Sequence, residues 1–550
     1  MNIELLEEIK KEIEGDVANS EEILKEYSHD ASLFEVKPEA VVFPKNQKDV
    51  EKLVEIVSRN KQKFPNLSLT GRAAGTDMSG GPLNDSIIIE FSKYFNHLPT
   101  IKENVALTEP GVFYRDFETE TLKHSLIFPS YPASKSICAM GGIVNNNSGG
   151  EKSLKYGKTQ EYVRKINVVL SDGKTYEIRP LKKNEMKIKM SQKDFEGELY
   201  RKVYKLILDD QELILKSKPT VHKNSAGYNL WDVWNEETGV FDLTKLWVGA
   251  QGTLGLMLSA EIGLVPVQKN HRMVVIFLPN MDHLGEIIEK ILPLAPESFE
   301  SYDDNTLKLA LRFFPEFAKQ LGIYGMVQAG MAFLPAFVMM ALGHLPKLIL
   351  QIDFAGETQE KLKIKVDELL TSLKPLNLKT QVAIGDKAKK YWLVRRESFN
   401  LLRNKIRDKH TAPFIDDFVI DPQKIQTVLP EVTRILAEHP EFIFTVAGHV
   451  GEGNFHIIPI VDIKNPVVRT AIPEIAERVY KVITENGGSI TGEHNDGLIR
   501  TPYLRQMFGE GMVKLFEQVK NIFDPQGIFN PRKKVKGDLK FAMEHIRQKW

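Results

Sequence analysis

Two α+β domains are the architecture that the sequence predicts. Between residues 39 and 89, strand and helix patterns alternate, which is typical of a sheet covered by helices. Beyond residue 268, strand patterns at 273–278, 348–354 and 442–446 are separated by helical patterns, which indicates a second α+β domain with an antiparallel sheet. The 550 residues suffice for two large domains, or for three or four of roughly 150 residues each.

The elements of the first domain follow one another closely. A strand is predicted at 39–43, and apolar residues then recur with the spacing of a helix at Val50, Leu53, Val54 and Val57. A second strand at 67–70 runs into a glycine-rich loop at 71–81, and a third strand follows at 87–89. The first domain is therefore expected to contain a sheet that ends in a glycine loop.

Three later segments define the end of this domain. Residues 182–189 alternate lysines with apolar residues, and we interpret them as a mobile surface loop. The glycines of 249–255 predict a tight turn, and the segment 265–267 with its central proline is a natural boundary. We therefore place the change of domain near residue 268.

Composition excludes several classes of protein. Lys and Arg total 73, as do Asp and Glu, so no overall field attracts a phosphate backbone, and we expect no nucleic-acid partner. Cys138 is the only cysteine, which excludes an intrachain disulfide, a CxxC zinc site and a cysteine-ligated iron–sulfur cluster. Any metal in this chain must be bound by His, Asp or Glu.

The expected location is the cytoplasm, because the acidic, amphipathic first ten residues lack the features of a secretory signal. Residues 320–346 contain no Asp, Glu, Lys or Arg, and they are long enough to span a membrane. Pro335, Gln328 and His344 argue against a span and leave a buried hairpin or helix, or an amphipathic element inserted into the surface. Peripheral contact with the inner membrane face through residues 325–346 therefore stays open.

Two glycine-rich segments of the first domain suit a bound cofactor. Glycines in the loop 71–81 permit positive φ and can turn backbone N–H groups toward one phosphate. The loop matches neither a Rossmann fingerprint nor a P-loop, and alone it is weak support because such turns are often structural. Residues 131–150 are rich in glycine and asparagine, which can lie against a flat polar cofactor.

The second domain contains histidines and carboxylates with the spacing of a metal site. His449 and His456 flank a glycine turn, so both rings can face one ion. A histidine pair this close is structural as often as metal-binding, but Glu493 and His494, beside further glycines, favour a metal. Glu452, inside the turn, is expected to be solvated.

Four segments follow one another in the order GRAAGTDMSGG, PASKSICAMGGIVNNNSGG, YGKTQEYVRKINVVLSDG and GAQGTLG. The resemblance that they carry is to the FAD-binding domain of the vanillyl-alcohol oxidase and p-cresol methylhydroxylase flavoprotein superfamily. It covers residues 35–268 and implies an α+β, two-subdomain FAD-binding domain of the p-cresol methylhydroxylase type. No His or Cys stands in the first loop, where covalently flavinylated relatives attach the cofactor. Non-covalent FAD is therefore implied.

The resemblance assigns FAD contacts residue by residue. The first glycine loop supplies Arg72, Ala73, Ala74, Gly75, Thr76 and Ser79. The second run supplies Pro132, Ser134, Gly141, Gly142, Asn145, Asn147 and Gly149. The turn at 249–255 supplies Gly252, Thr253 and Gly255. Asn530, from the C-terminal segment, is expected to contact the isoalloxazine ring.

The segments GHVGEGNFH, GEHNDG and FDPQGIFNP resemble the C-terminal domain of the FAD-linked 2-hydroxy-acid dehydrogenases, the D-lactate and D-2-hydroxyglutarate group. This resemblance implies that His449, His456 and Glu493 bind a divalent metal, Zn or Mn. It also implies that His494 is the catalytic base and that Asn454 lies near substrate or flavin. The second segment looks closest to relatives with an additional iron–sulfur module, which we do not expect here because its cysteines are absent.

Four parts make up the predicted organisation. An N-terminal helical segment occupies 1–34, and the FAD-binding domain occupies 35–268. An α+β substrate (cap) domain, with an antiparallel sheet and the metal site, occupies 269–505. The C-terminal segment, 506–550, is expected to return to the FAD domain.

Arg395 is the candidate for binding a substrate carboxylate. An arginine on a helix can form two parallel hydrogen bonds to a carboxylate, although an isolated one is usually solvated. The resemblance places the substrate arginine three residues after Trp392, which points to Arg395. A lysine that 2-hydroxyglutarate enzymes use downstream has no clear counterpart near 414–417, which argues against the longer substrate.

The predicted function is metal-assisted, FAD-dependent oxidation of a small D-2-hydroxy acid, such as D-lactate, to the 2-oxo acid. The chain has no nicotinamide motif, so electrons are expected to pass to an external acceptor, a quinone or an electron-transfer protein. One alternative is a flavoenzyme of the same fold that acts on an alcohol, a sugar or alkylglycerone phosphate. The other is a catalytically silent flavin-binding scaffold, which the intact positions for metal, base and carboxylate disfavour.

Overall fold

The computed structural model describes residues 2–312, 345–385, 387–389, 391–392, 395 and 409–548. The apolar segment at 325–346, predicted to contact the membrane, lies outside the described residues except for its last two positions. Within the described parts of the chain, no helix combines the length and apolar content needed to cross a bilayer.

The first sheet carries the glycine loop at the end of one of its strands. Its strands, in spatial order, are Asp16–Ala18, Ala40–Phe43, Ile87–Glu90 and Leu69–Arg72. All pairs are parallel except the one at the Asp16–Ala18 edge. The predicted helix forms as Gln47–Asn60, begins at the Asn46 cap and buries its apolar residues against this sheet.

An antiparallel sheet packs against the first one. Its strands, in spatial order, are Thr100–Lys102, Val105–Thr108, Leu256–Gly263, Val163–Val169 and Thr175–Ile178. Buried Val169 and Leu256 from this sheet share one apolar cluster with Leu69 and Ile87 from the parallel sheet. This packing brings the turn at 249–255 close to the glycine loop at 71–81. Smaller sheets contain Pro180–Lys182, Val240–Asp242 and Trp234–Asn235, and Leu126–Ile127 with Val265–Pro266.

The prediction of a mobile loop at 182–189 was wrong, because a helix spans Lys183–Ser191. Met186 is buried on its inner face, whereas the lysines beside it face solvent. The Glu185 carboxylate accepts a hydrogen bond from the Lys182 backbone N–H at 2.9 Å and so caps the first turn. The alternating pattern thus reflects an amphipathic surface helix with a narrow apolar face.

A large antiparallel sheet forms the second half, as predicted. Its strands, in spatial order, are Lys379–Ala383, Asn270–Leu278, Leu348–Gly356, Ser298–Asp303, Ile443–His449, Asn454–Val461 and His410–Thr411, with Phe418–Val419 also paired to Asn454–Val461. The pairs His449↔Asn454 and Ala447↔His456 place both histidines on one face, because directly opposed residues share a face. The pair Ser301↔Gly448 puts Glu300 next to this face.

The helices cover both halves. Those before residue 268 are Ile3–Glu12, Glu21–Glu26, Gln47–Asn60, Tyr114–Lys123, Met140–Asn146, Ser153–Tyr156, Lys183–Ser191, Phe195–Asp209, Gln211–Lys216 and Thr244–Trp247. Those after it are Leu284–Ile291, Asp304–Arg312, Gln359–Leu373, Ile425–Ala437, Pro466–Glu485, Gly497–Arg500, Leu504–Phe523 and Leu539–Glu544. The long helix Pro466–Glu485 begins with a proline in its first turn, where the missing N–H costs no hydrogen bond.

After the helix Leu504–Phe523, the chain returns to the parallel sheet. The Leu69 N–H donates to the Ile528 carbonyl at 2.7 Å, and the Asn530 N–H donates to the Leu69 carbonyl at 2.8 Å. This contact brings the C-terminal segment beside the strand that leads into the glycine loop. The domain boundaries given above stay predictions.

An ionic cluster around the buried carboxylates Glu297 and Asp353 joins the first half to the large sheet. Lys152 Nζ lies 3.0 Å from Glu297, and the Tyr156 hydroxyl donates to the same carboxylate at 3.2 Å. His271 Nδ1 lies 2.9 Å from Asp353 and 3.7 Å from Glu297. Although burial opposes protonation, the hydrogen bond to Asp353 is the stronger effect and raises the pKa of His271.

Replacing His271 with Gln is expected to lower stability in a pH-dependent manner. A raised pKa in the folded protein gives a stabilisation that is fully present below the unfolded value of about 6.5 and is lost as the pH rises through the folded value. The difference in Tm between wild type and His271→Gln should therefore be largest at or just below the unfolded pKa and shrink as the pH rises through the folded pKa. His283→Gln, at a half-exposed histidine, is the control. A Tm difference that is constant with pH would contradict this role.

Candidate active site

One cavity of about 370 Å³ connects the glycine loop to the histidine cluster. The predicted FAD residues that line it are Arg72, Ala73, Ala74, Gly75, Thr76, Pro132, Ser134, Gly141, Gly142, Asn145, Gly149, Gly252 and Gly255. At its other end the cavity is lined by Glu300, Arg395, His449, His456, Glu493 and His494. Two groups of residues that are far apart in sequence thus share one space.

The glycine loop is held by its own backbone and by Asp77. Gly75 has a φ of +65°, a left-handed conformation that favours glycine, and a Cβ there would also displace the Arg72 guanidinium. Asp77 Oδ2 accepts from the Ser79 and Gly81 N–H groups at 2.9 and 2.8 Å. Arg72 donates to the His29 carbonyl at 2.8 Å. These contacts fix a concave loop whose remaining N–H groups can bind an anion.

The helix Met140–Asn146 uses two neighbouring glycines differently. A Cβ on Gly141 would lie 2.9 Å from the Pro110 carbonyl oxygen, so this glycine permits close packing of two backbones. A Cβ on Gly142 would meet no atom within 4 Å, and Gly142 lines the cavity. The open space beside Gly142 is suited to a bound cofactor rather than to a side chain.

Four predicted FAD residues, Ser79, Asn147, Thr253 and Asn530, are not among the residues that line the cavity. Asn530 Nδ2 donates to the carbonyls of Gly81 and Gln251 at 2.9 and 2.6 Å. The Ser79 hydroxyl donates to Asp77, and the Thr253 hydroxyl donates to the Ala250 carbonyl at 2.6 Å. Asn147 ends its helix with a left-handed φ of 50°. These residues hold together the loops that form the wall.

His449, His456 and Glu493 converge on one point. Glu493 Oε1 lies 3.4 Å from His449 Nε2 and 3.3 Å from His456 Nε2. The other ring nitrogens are held by carboxylates: Glu300 lies 2.6 Å from His449 Nδ1, and Asp416 lies 3.1 Å from His456 Nδ1. Carboxylates on Nδ1 with both Nε2 atoms directed at one place are the arrangement found around metal-binding histidines.

The chemistry of these donors fits a divalent cation. Two imidazole nitrogens and one carboxylate form a three-ligand set that suits Zn²⁺ or a similar metal. Donor atoms of Asp417, His456, Glu493 and His494 also lie within 4.8 Å of one another. Asp417, however, accepts from the backbone N–H groups of Glu493 and His494 at 2.9 and 2.7 Å. We therefore assign Asp417 to holding the loop and keep His449, His456 and Glu493 as the candidate ligands.

Burial and neighbouring charges act in opposite directions here. Burial favours the neutral imidazole, but Asp416 and Glu493 outweigh it and raise the pKa of His456 to about 10. Burial also opposes ionisation of Glu493, yet Lys223 and His449 hold the pKa of this carboxyl well below its ordinary value. The pocket thus favours protonated imidazoles next to an ionised carboxylate. A divalent cation can take the place of these protons, because metal binding releases protons from its ligands.

His494 lines the cavity beside this cluster. Its Nδ1 lies 2.7 Å from Asp416 Oδ2, and its ring stacks on that of His456 at 5.1 Å. Burial lowers the pKa of His494, but Asp417 and Asp416 raise it more. Arg395 Nη2 lies 3.2 Å from Glu300 Oε2, so one carboxylate contacts both this arginine and His449.

Asn454 lies behind the cluster and does not line the cavity. It is fully buried, and its Nδ2 donates to Asp417 Oδ1 at 3.0 Å and to the Phe418 carbonyl at 3.2 Å. Asn454 therefore acts on the position of Asp417, which in turn holds the backbone of Glu493 and His494.

Sequence reasoning missed several residues and misjudged one. Lys223, Glu300, Asp416 and Asp417 had no assigned role; only the adjacent acidic pair, in an apolar segment, gave a signal. Glu452 was expected to be solvated, but it is 1% exposed and lies 2.7 Å from Lys223 Nζ. The turn that contains Glu452 faces the first half of the chain, not solvent.

Comparisons with known proteins agree with this architecture. Residues 38–179 match a family described as "FAD binding domain", and residues 267–534 match one described as "FAD linked oxidases, C-terminal domain". The structure of p-cresol methylhydroxylase with substrate bound is similar over 96% of this chain and 96% of that one, with a TM-score of 0.67 at 15% identity. The structure of a 4-ethylphenol oxidase from Gulosibacter chungangensis is similar over 98% of both chains, also with a TM-score of 0.67 at 15% identity. The fold is thus the predicted α+β fold of the p-cresol methylhydroxylase-type flavoproteins.

Curated relatives extend along most of the chain. It is 26% identical to the D-2-hydroxyglutarate dehydrogenase of Pantoea ananatis (strain AJ13355), over 94% of this chain and 50% of that protein. It is 25% identical to the D-lactate dehydrogenase of Anaerostipes hadrus, over 96% of this chain and 97% of that protein. The chain spans about half the length of several of the curated relatives that it matches. The chain thus contains the two domains that these family models describe, an FAD binding domain and the C-terminal domain of FAD linked oxidases.

Proposed function

We propose that this protein oxidises a small D-2-hydroxy acid, D-lactate or a similar acid, to the 2-oxo acid. The cofactors would be non-covalent FAD and a divalent metal, Zn or Mn. The observation that carries the proposal is the single cavity that joins the glycine loop to His449, His456, Glu493, His494 and Arg395. Relatives whose names specify D-2-hydroxyglutarate and D-lactate as substrates support this reaction class.

Each polar group at the histidine end of the cavity has a proposed task. When bound, FAD accepts a hydride, and a divalent cation lowers the pKa of a hydroxyl group that it contacts. Arg395, 8% exposed and fixed by Glu300, binds the substrate carboxylate through its guanidinium. His494, oriented by Asp416 at Nδ1, accepts the hydroxyl proton at Nε2. Cation and FAD would be held by the residues assigned to them above.

Electrons would leave through an external acceptor, a quinone or an electron-transfer protein. Cys138 is the only cysteine of the sequence, so the sequence lacks the cysteine ligands that an iron–sulfur cluster needs. A cytoplasmic location with peripheral contact to the inner membrane face through residues 325–346 stays part of the proposal. If lipid vesicles neither bind the protein nor support quinone reduction, the proposed membrane contact and quinone acceptor are contradicted.

Anaerobic absorbance of the flavin band, between about 350 and 500 nm, tests the proposal. D- and L-2-hydroxy acids are added singly, with and without a chelator. We expect bleaching by one D-acid, and we expect the chelator to abolish it. A flavin band that no hydroxy acid bleaches would favour the alcohol-oxidising or scaffold alternatives, and a protein without a flavin band would contradict the cofactor.

A further inference from the structure

Lys223 is a fully buried lysine beside the candidate metal ligands. Its side chain is 0% exposed, and its Nζ lies 3.5 Å from Glu493 Oε2 and 3.5 Å from Asn454 Oδ1. A buried ammonium is costly unless it is paired, so its position is expected to be tightly defined by its partners.

Glu452 holds the ammonium group from the other side. Glu452 Oε2 lies 2.7 Å from Lys223 Nζ, and its other oxygen lies 3.0 Å from His222 Nδ1. The Ser153 hydroxyl donates to Glu452 Oε2 at 3.1 Å. Two residues further on, the Ser225 N–H donates to the Thr491 carbonyl at 3.0 Å. The ammonium group of Lys223 is thus held by Glu452, and the backbone that follows Lys223 is tied to the segment before Glu493.

The two oxygens of Glu493 have different surroundings. Oε1 faces the Nε2 atoms of both histidines. Oε2 faces Lys223, and a Cβ on Gly149 would lie 3.0 Å from it, so a larger residue at 149 would crowd this rotamer. Rotation of the carboxylate would remove Oε2 from the ammonium group and Oε1 from the histidines at the same time.

We infer that Lys223 is a positioning residue whose ammonium group forms an ion pair with Glu493 Oε2 and thereby presents Oε1, together with His449 and His456, to a divalent cation. This inference rests on the metal site of the proposed function. Lys223 contributes no ligand itself, since an ammonium group has no lone pair. Its effect on the metal is exerted through Glu493.

Metal affinity, not activity, is the primary measurement. FAD-loaded protein is treated with chelator, dialysed and titrated calorimetrically with Zn²⁺ and then with Mn²⁺. Lys223→Met is expected to raise the metal Kd by about 10- to 100-fold, as is typical when an outer partner of a metal ligand is lost. Lys223→Arg, which retains a cation at an altered distance, should give an intermediate Kd.

Two further variants separate positioning from general damage. Lys533→Met removes another fully buried lysine, one that donates to the Leu83 carbonyl away from the cluster, and it should leave the metal Kd unchanged. Lys223→Met combined with Glu452→Gln avoids an unpaired buried carboxylate, so it keeps the test available if the single variant does not fold. It should show the same loss of affinity.

The outcomes distinguish the two proposals. Wild-type affinity in Lys223→Met or in the double variant would overturn the role of Lys223 while the metal site stands. An equal loss in Lys533→Met would also overturn it, because the effect would then follow any buried lysine. Wild-type protein that binds neither metal would overturn the metal site and this inference together.

Discussion

His494→Ala is expected to slow flavin reduction by about 100- to 10,000-fold, the usual contribution of a general base. Alanine has no group that can accept the substrate hydroxyl proton. The loop itself should survive, because its support is a backbone contact: the N–H of residue 494 donates to Asp417 at 2.7 Å. The variant should therefore keep FAD and metal, and the measurement is stopped-flow bleaching of the flavin under anaerobic conditions.

Two comparisons distinguish loss of the catalytic base from loss of folded structure. FAD content, metal content and Tm are measured on the same sample, and His283→Ala, at a half-exposed histidine outside the cavity, is the matched control. If His494→Ala reduces its flavin at the wild-type rate, another group is the base. If it loses metal as well, His494 belongs to the ligand set.

The strands and the site histidines were predictable because their signals are local. The strands predicted at 39–43 and 87–89 differ from those observed by one residue each. The proximity of His449 and His456 was predictable because a tight turn between two strands brings residues that are close in sequence together in space. Local periodicity and turn chemistry decide such features.

The residues that support the site could not be predicted, because long-range packing places them. Glu300 contacts His449 across 149 positions, and Lys223 contacts Glu452 across 229. Nothing in the sequence around Lys223 or Glu300 distinguishes them from surface charges. The same reason explains the error at Glu452, since a turn looks solvated until another part of the chain covers it.

The helix at 183–191 shows that a local sequence pattern can also mislead. Its alternating lysines indicated a loop, but a single buried side chain, Met186, and a capping carboxylate, Glu185, are enough to support a helix on the protein surface. A charge-rich segment with few apolar residues carries too little periodicity to separate an amphipathic helix from a loop.

Glu493→Gln is expected to abolish metal-dependent flavin reduction. The amide replaces a charged ligand by a weak neutral one. The metal Kd should therefore rise further than in Lys223→Met, for which an increase of about 10- to 100-fold is expected. The backbone is expected to hold, because the N–H of residue 493 still donates to Asp417 at 2.9 Å. Metal analysis after dialysis and anaerobic flavin bleaching by the D-acid are the measurements.

Chelator-treated wild type is the internal reference for this variant. Both should reduce flavin at the same low rate, but added metal should restore only the wild type, because its ligand set is intact. FAD content should match in the two samples, since Gln is nearly the size of Glu and the predicted FAD residues are unchanged. A Glu493→Gln protein that keeps metal after dialysis and reduces flavin normally would show that His449 and His456 do not need this carboxylate. The convergence of three donors on one point would then reflect charge balance among buried groups alone.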